Sequence, residues 1–328
     1  VFAALLLTLI GFGMDWHLLN IAVSVLCAII LFMYGLKAFS LEIEDLASEQ
    51  LKSWLERVTK NRWRGFLIGA GFTAVIQSSS AVSSMTIALV NSQVLSFQNS
   101  LAILFGTNVG TTATAWLVSF DLQSFGPLFI VLGWILGVSP VRIRLLGKAI
   151  FYFGFIFFSL NLINSALAQV KDDPMLLTWI QAVDGWGEGI VVGLVITALV
   201  QSSSVVTGLC ILLVSQGILS TEAAIAMVIG ANAGTTSTAL LASIDFEQTA
   251  RMGAVANFIF NLTGSLLFLP LVGVLTQFVQ SIMEAPAQQL ALAHLIFNLV
   301  TSLLFLLLLS PFHRLLLWLM RPKGREAA

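Results

Sequence analysis

Gln77-Ser78-Ser79-Ser80, followed by Gly106-Thr107-Asn108-Val109-Gly110-Thr111-Thr112, recurs as Gln201-Ser202-Ser203-Ser204, followed by Gly230-Ala231-Asn232-Ala233-Gly234-Thr235-Thr236. The offset is 124 in both pairs, and an ungapped alignment of residues 65–121 with 189–245 carries 25 identities in 57 positions. Gly65/Gly189, Thr73/Thr197, Thr114/Thr238 and Asp121/Asp245 are among them. The chain therefore contains an internal repeat. Phe66/Ile190, Ala70/Leu194 and Trp116/Leu240 have drifted between the copies, whereas the hydroxyl, amide and glycine set has not. Polar groups inside apolar stretches are costly unless they are partnered, so the doubled set is the candidate functional centre.

The surroundings of that set are apolar throughout. Of 328 residues 58% are hydrophobic and 9% charged, and the mean hydropathy is +0.98; soluble domains carry about a quarter charged residues. The chain reads as an integral membrane protein. The runs Leu18–Phe39, Leu145–Leu167 and Ala291–Ser310 reach the roughly 20 residues that a helix needs to cross ~30 Å of hydrocarbon. Period-2 patterning is absent, so the spans are helices and not barrel strands. A net charge of −1 offers no basic surplus to a polyanion, which excludes a nucleic-acid partner. Cys27 and Cys210 lie in apolar runs without a CxxC or a nearby His, so they are read as packing residues, with no disulfide or transition-metal site.

The repeat sets the domain organisation. Residues 1–14 read as what remains of a longer helix, without the basic flank of a signal peptide. Unit one covers 18–138, with a hairpin at 65–90, and unit two covers 145–274, with a hairpin at 189–214; a C-terminal transmembrane helix follows at 290–320. Each unit reads as a span, an amphipathic stretch, the polar-centred hairpin, a span interrupted at its glycine pair, and a further span. The amphipathic stretches correspond, with Leu51, Trp54, Leu55 and Val58 at the helical spacing of Leu176, Trp179, Ile180 and Val183. If the hairpins are re-entrant, each unit crosses three times, an odd number, and the second unit is inverted. The basic residues favour that count: Lys171 falls on one face and the other fourteen Lys and Arg on the opposite face, which the positive-inside rule makes cytoplasmic, C-terminus included. The twelve steps from Gly65 to Gln77 rise about 18 Å and bring the tip near mid-membrane.

No Asp, Glu, Lys or Arg falls in the central part of any span, so whatever binds at depth is held by neutral groups. A helix that starts at a mid-membrane tip presents free N–H groups and a positive dipole end to an anion, and the arm that ends there offers carbonyls to a desolvated cation. The glycines around Asn108 and Asn232 would let the backbone unwind beside the tips. His294, Asn257, Asn261 and Asn298 read as interhelical hydrogen-bonding residues. Ile259-Phe260-Asn261-Leu262 also resembles Ile296-Phe297-Asn298-Leu299. By themselves these residues support a small anion moved together with a cation, and do not name the anion.

At the doubled Gln-Ser-Ser-Ser motif, each copy followed by Gly-x-Asn-x-Gly-Thr, the chain resembles the bacterial branch of the type II sodium–phosphate cotransporter family over roughly Leu18–Val274. The resemblance implies an all-α membrane protein of two inverted repeats, each with a re-entrant hairpin and a broken transmembrane helix. It implies Na⁺-coupled symport of inorganic phosphate into the cell by alternating access, from a bacterial inner membrane. Phosphate would then be held by Gln77, Ser78, Ser79, Ser80, Asn108, Gln201, Ser202, Ser203, Ser204 and Asn232. Na⁺ would be held by Gln77, Thr111, Thr112, Gln201, Thr235 and Thr236. No cofactor is implied beyond Na⁺ as the co-transported ion, and the bilayer is the other partner. The first tip continues Ala81-Val82-Ser83 and the second Val205-Val206-Thr207, whereas animal members carry more hydroxyls after the first motif. A transporter of a carboxylate or sulfate, and an anion channel, are the rival readings. An intramembrane serine hydrolase would need a base within reach of a serine, and neither repeat core holds a His.

Overall fold

A computed structural model describes residues 16–57, 61–120, 122–139, 141–169, 171, 173–174, 178, 185–243 and 248–320. All regular structure among them is helical. Among the described residues five helical stretches are long and apolar enough to cross a membrane: Leu19–Ala47, Phe97–Ser119, Ile143–Leu167, Arg251–Ile282 and Pro286–Leu307. The helix expected at 1–14 and the amphipathic residues Leu176, Trp179, Ile180 and Val183 lie outside the described residues.

Helix α1 (Trp16–Arg57) runs unbroken for 42 residues, where the sequence suggested a span and then a separate amphipathic piece. The onset of Glu42, Glu44 and Asp45 ends the apolar run but not the helix, because no Gly or Pro follows Gly35 within it. Cys27, read as a packing residue, is exposed, among the equally exposed Val23, Leu26 and Ile30, while Cys210 is buried.

The chain forms two compact units. In the first, the start of α1 joins α5 (Gly126–Gly137) and α6 (Val141–Leu167). A methyl group on Gly133 would strike the Phe151 backbone nitrogen, and one on Gly147 that of Gly137, so α5 and α6 touch backbone to backbone. Phe153 fills the space beside them, 4.9 Å from Phe157, 5.3 Å from Phe129 and 5.8 Å from Phe39. Leu128, Val131, Leu132 and Trp134 of α5 are exposed apolar residues, suited to lipid.

The second unit holds everything duplicated. Helix α2 (Arg62–Ile76) turns at Gln77-Ser78 into α3 (Ser79–Asn91), which leads to α4 (Phe97–Ser119). Helix α7 (Trp186–Val200) turns at Gln201-Ser202 into α8 (Ser203–Ser215), which leads to α9 (Thr221–Ala242). The expected interruption of α4 and α9 is corrected here: both helices are continuous through Gly106–Gly110 and Gly230–Gly234. The glycines serve close approach. A methyl on Gly106 would land on the Phe66 carbonyl and one on Gly110 on that of Ala70; Gly230 and Gly234 meet the carbonyls of Ile190 and Leu194 in the same way. Gly69 and Gly193 complete the two contacts against the Ile103 and Met227 carbonyls. Every one of these positions recurs at the 124-residue offset. Lipid is as apolar as a leucine side chain, so such close packing and interhelical hydrogen bonds are what hold membrane helices together. The outer faces of α2 and α7 are exposed at Leu67 and Val75 and at the matching Val191 and Leu199.

Helices α10 (Gln248–Phe268), α11 (Val272–Ile282), α12 (Pro286–Leu307) and α13 (Leu309–Leu319) complete the unit. The single C-terminal helix expected at 290–320 is two helices, which meet at Leu308. The likeness noted around Asn261 and Asn298 extends along both helices: residues 254–269 align with 291–306 with 11 identities at an offset of 37. Its structural meaning lies in what each helix grips. Ser302 of α12 donates to the Phe105 carbonyl of α4, and Ser265 of α10 donates to the Ile229 carbonyl of α9, each at 2.9 Å. Phe105 and Ile229 are themselves 124 apart. Phe260 meets Phe305 edge-on at 5.0 Å, and their counterparts Phe297 and Phe268 meet edge-on at 5.1 Å.

Candidate functional site

Each tip is made by one residue in the left-handed region. Gln77 (φ 59°, ψ 24°) ends α2, its N–H donating to the Thr73 carbonyl at 2.8 Å, and Gln201 (φ 60°, ψ 25°) ends α7 with the same bond to Thr197 at 2.6 Å. A side chain at positive φ costs about 1–2 kcal/mol relative to the right-handed form. Glycine would relieve that cost, yet both copies keep glutamine. The next residue swings to extended backbone and caps the following helix. Ser78 Oγ accepts from Ala81 N–H at 3.2 Å, and Ser202 Oγ from Val205 N–H at 3.4 Å. Capping takes up one hydroxyl and one N–H at each tip. The hydroxyls of Ser79, Ser80, Ser203 and Ser204 have no hydrogen-bond partner among the described residues, and these residues form the first turns of α3 and α8.

The two glutamines differ in their surroundings. Gln77 Nε2 donates to the Ala74 carbonyl and Oε1 accepts from Thr114 Oγ1 at 2.6 Å, which ties the first tip to α4. Gln201 is exposed and has no partner among the described residues. Thr114 was absent from the candidate site residues, although its identity in both copies was a usable signal. Thr73 and Thr197, whose carbonyls accept the Gln77 and Gln201 N–H groups, are fully buried, and their hydroxyls have no partner among the described residues.

Asn108 and Asn232 lie on α4 and α9. Asn108 Nδ2 donates to the Leu104 carbonyl at 2.9 Å and to Asn257 Oδ1 of α10 at 3.3 Å, the interhelical role expected of Asn257. Asn232 is buried and, among the described residues, donates only to the Val228 carbonyl, at 3.5 Å. Asn261 and Asn298 donate within their own helices, to the carbonyls of Asn257 and His294. In this structure the interhelical bond expected of His294 is absent: neither ring nitrogen has a partner among the described residues.

The four threonines share one arrangement. Thr111 and Thr112 donate to the carbonyls of Thr107 and Val109, at 2.9 and 2.7 Å. Thr235 and Thr236 donate to those of Ala231 and Ala233, at 3.3 and 3.0 Å. With its proton committed to the helix, each hydroxyl turns only acceptor lone pairs away from it. Such oxygens suit a cation, while the unpartnered serine hydroxyls are free to donate to an anion.

The two halves of the duplicated set meet at the level of whole helices. The arm after the second tip, α8, packs on α4, and the arm after the first, α3, packs on α10. Arg62 at the start of α2 donates to the Leu306 carbonyl at 3.3 Å, and Gln98 at the start of α4 donates to Ser310 at 3.2 Å, so both starts lie at the end of α12. The start of α9 lies at the opposite end of α12, where Thr221 donates to Gln289 at 3.3 Å.

A sequence profile of the Na+/Pi-cotransporter family matches the chain twice in succession, over residues 31–165 and 164–307. A Bacillus subtilis (strain 168) protein named uncharacterized protein YqeW is 31% identical over 309 residues, 92% of this chain and 99% of that protein. The Escherichia coli K12 protein named putative inorganic phosphate export protein YjbB is 29% identical over 255 residues, 77% of this chain and 47% of that longer protein. Rabbit sodium-dependent phosphate transport protein 2A is 38% identical over 104 residues, 30% of this chain and 16% of that protein. No solved structure matches.

Proposed function

Because this chain belongs to the Na+/Pi-cotransporter family, we propose that this multi-pass membrane protein carries inorganic phosphate inward with Na⁺, by alternating access, across a bacterial inner membrane. The observation that carries the reading is the matched pair of tips. Two glutamines hold one left-handed geometry, each followed by a capping serine and two serines with unpartnered hydroxyls. Chemistry retained twice at the same backbone position suits a ligand held from two sides.

The repeats are proposed to be inverted, with both hairpins re-entrant and the C-terminus cytoplasmic. The starts of α4 and α9 at opposite ends of α12 support the inversion. In this arrangement Ser79, Ser80, Ser203 and Ser204 donate to phosphate, with the first-turn N–H groups of α3 and α8 behind them. Ser78 and Ser202 hold the turns and keep one proton each to donate. Thr111, Thr112, Thr235 and Thr236 supply oxygens to Na⁺, and Asn108 and Asn232 border both sites. Gln77 braces the first tip through Thr114, and the exposed Gln201 amide, without a partner among the described residues, reaches a ligand. Na⁺ binds first, because these neutral groups lack the positive charge that a desolvated phosphate needs.

Purified protein in liposomes should accumulate labelled phosphate when Na⁺ is outside and choline inside. Equal accumulation in choline medium would contradict the coupling. Export is the second reading, favoured by the printed name of the Escherichia coli relative that matches 77% of this chain. Phosphate loss from preloaded vesicles against an inward Na⁺ gradient would select it. Competition by sulfate and small carboxylates tests the choice of anion.

A further inference from the structure

We propose that His294 is the second-half counterpart of Asn257: it is the positioning partner of Asn232, as Asn257 is of Asn108. The 37-residue offset that turns α10 into α12 turns Asn257 into His294, and the 124-residue offset turns Asn108 into Asn232. Applied together, the two offsets carry one set of contacts onto another. Ser302 to the Phe105 carbonyl becomes Ser265 to the Ile229 carbonyl. Phe260 against Phe305 becomes Phe297 against Phe268. Asn261 to the Asn257 carbonyl, at 3.0 Å, becomes Asn298 to the His294 carbonyl, at 2.9 Å. Asn108 to Leu104 becomes Asn232 to Val228. Two contacts of the set have no image among the described residues, and both are accepted by Asn257 Oδ1: from Asn108 at 3.3 Å and from Asn261 at 3.1 Å.

The image of the first would join Asn232 to His294, and both residues have unused capacity. His294 is 3% exposed with both ring nitrogens unpartnered, and α12 packs on α9 as well as on α4. A buried imidazole without partners is costly. The Asn232 amide, with its single long bond, is the donor that the image pair requires. A neutral imidazole offers one acceptor nitrogen to that donor, as Asn257 Oδ1 does to Asn108, whereas an imidazolium offers none. The other titratable or charged groups on the helices packed against α12 are Glu222 of α9, Arg251 of α10, Cys210 of α8, and His313 and Arg314 of α13. Glu222 and Arg251 stand in the first turns of their helices, away from the Asn232 level.

The pairing is tested without transport, and only its consequence rests on the function proposed above. In a protein with Cys27 and Cys210 replaced by Ala, Asn232→Cys/His294→Cys should retain one mercuric ion per chain through gel filtration, as Asn108→Cys/Asn257→Cys does. Retention by the Asn108/Asn257 variant alone would overturn the pairing. Phosphate uptake is then measured in liposomes at pH 8. His294→Asn should keep at least half of wild-type uptake at pH 8, because asparagine does this task in the first half, and His294→Ala should raise the phosphate KM about tenfold. Loss of uptake in His294→Asn equal to that in His294→Ala would overturn the proposal. A wild type that carries no phosphate would refute the proposed function, and the mercury result would still decide the pairing.

Discussion

Replacing Gly106 or Gly230 by alanine adds one methyl group to a contact that has no room for it. On rigid helices that methyl meets the carbonyl oxygen of Phe66 or of Ile190 far inside van der Waals distance, and a backbone carbonyl is not the movable end of a side chain. The helices must separate along α2/α4 or α7/α9, which forfeits the adjoining contacts of Gly110 with Ala70 and of Gly234 with Leu194. Overpacking of this kind costs about 1–3 kcal/mol. Gly71 is the internal control: it lies on α2, and a methyl there has nothing within 4 Å. Gly71→Ala should gain up to about 1 kcal/mol from helix propensity alone. In detergent, measured by fluorescence-detected size exclusion after heating, Gly106→Ala and Gly230→Ala should each lower the melting midpoint by about 2–10 °C. Gly71→Ala should match or exceed wild type. Wild-type melting of Gly106→Ala and Gly230→Ala would refute the close-approach account and revive the unwound glycine segment that it replaced.

The tips yield three further expectations. Thr114→Val removes the donor to Gln77 Oε1 while keeping shape, which should cost about 1 kcal/mol and raise the phosphate KM; unchanged melting and KM would count against the brace. Gln201→Gly relieves a positive φ of 60°, a gain of about 1–2 kcal/mol from which glycine's unfolded-state entropy takes back about 0.5–1 kcal/mol. That variant should melt no lower than wild type and transport poorly, and full transport would show that the glutamine side chain is dispensable. If Ser79 and Ser203 donate to phosphate as proposed, Ser79→Ala and Ser203→Ala each delete a donor to a charged ligand, worth about 1.5–3 kcal/mol, so half-saturating phosphate should rise roughly 10- to 100-fold in uptake assays.

Helices, hairpin turns and the doubled centre were legible because they rest on local chemistry. Composition excluded strands, and two serine triplets at a fixed offset marked the tips. Residues whose role depends on a neighbour were not legible. Gly106 and Gly110 carry the same letters whether a helix unwinds or another helix presses against it, and only the Phe66 and Ala70 carbonyls decide. The end of α1 was misplaced because hydropathy marks the membrane boundary, whereas a helix continues until something stops it. Thr114 was visible as an identity, but its value lies in a bond to Gln77 across 37 residues. The likeness of α10 to α12 was noted over four residues, and the two serine-to-carbonyl bonds reveal its full length.

The whole account depends on neutral tips that bind phosphate only once a cation has arrived. Calorimetric titration of phosphate into the purified protein measures this directly, in matched sodium and choline buffers. Saturable heat in sodium and none in choline is the predicted result. Equal binding in both buffers would contradict it.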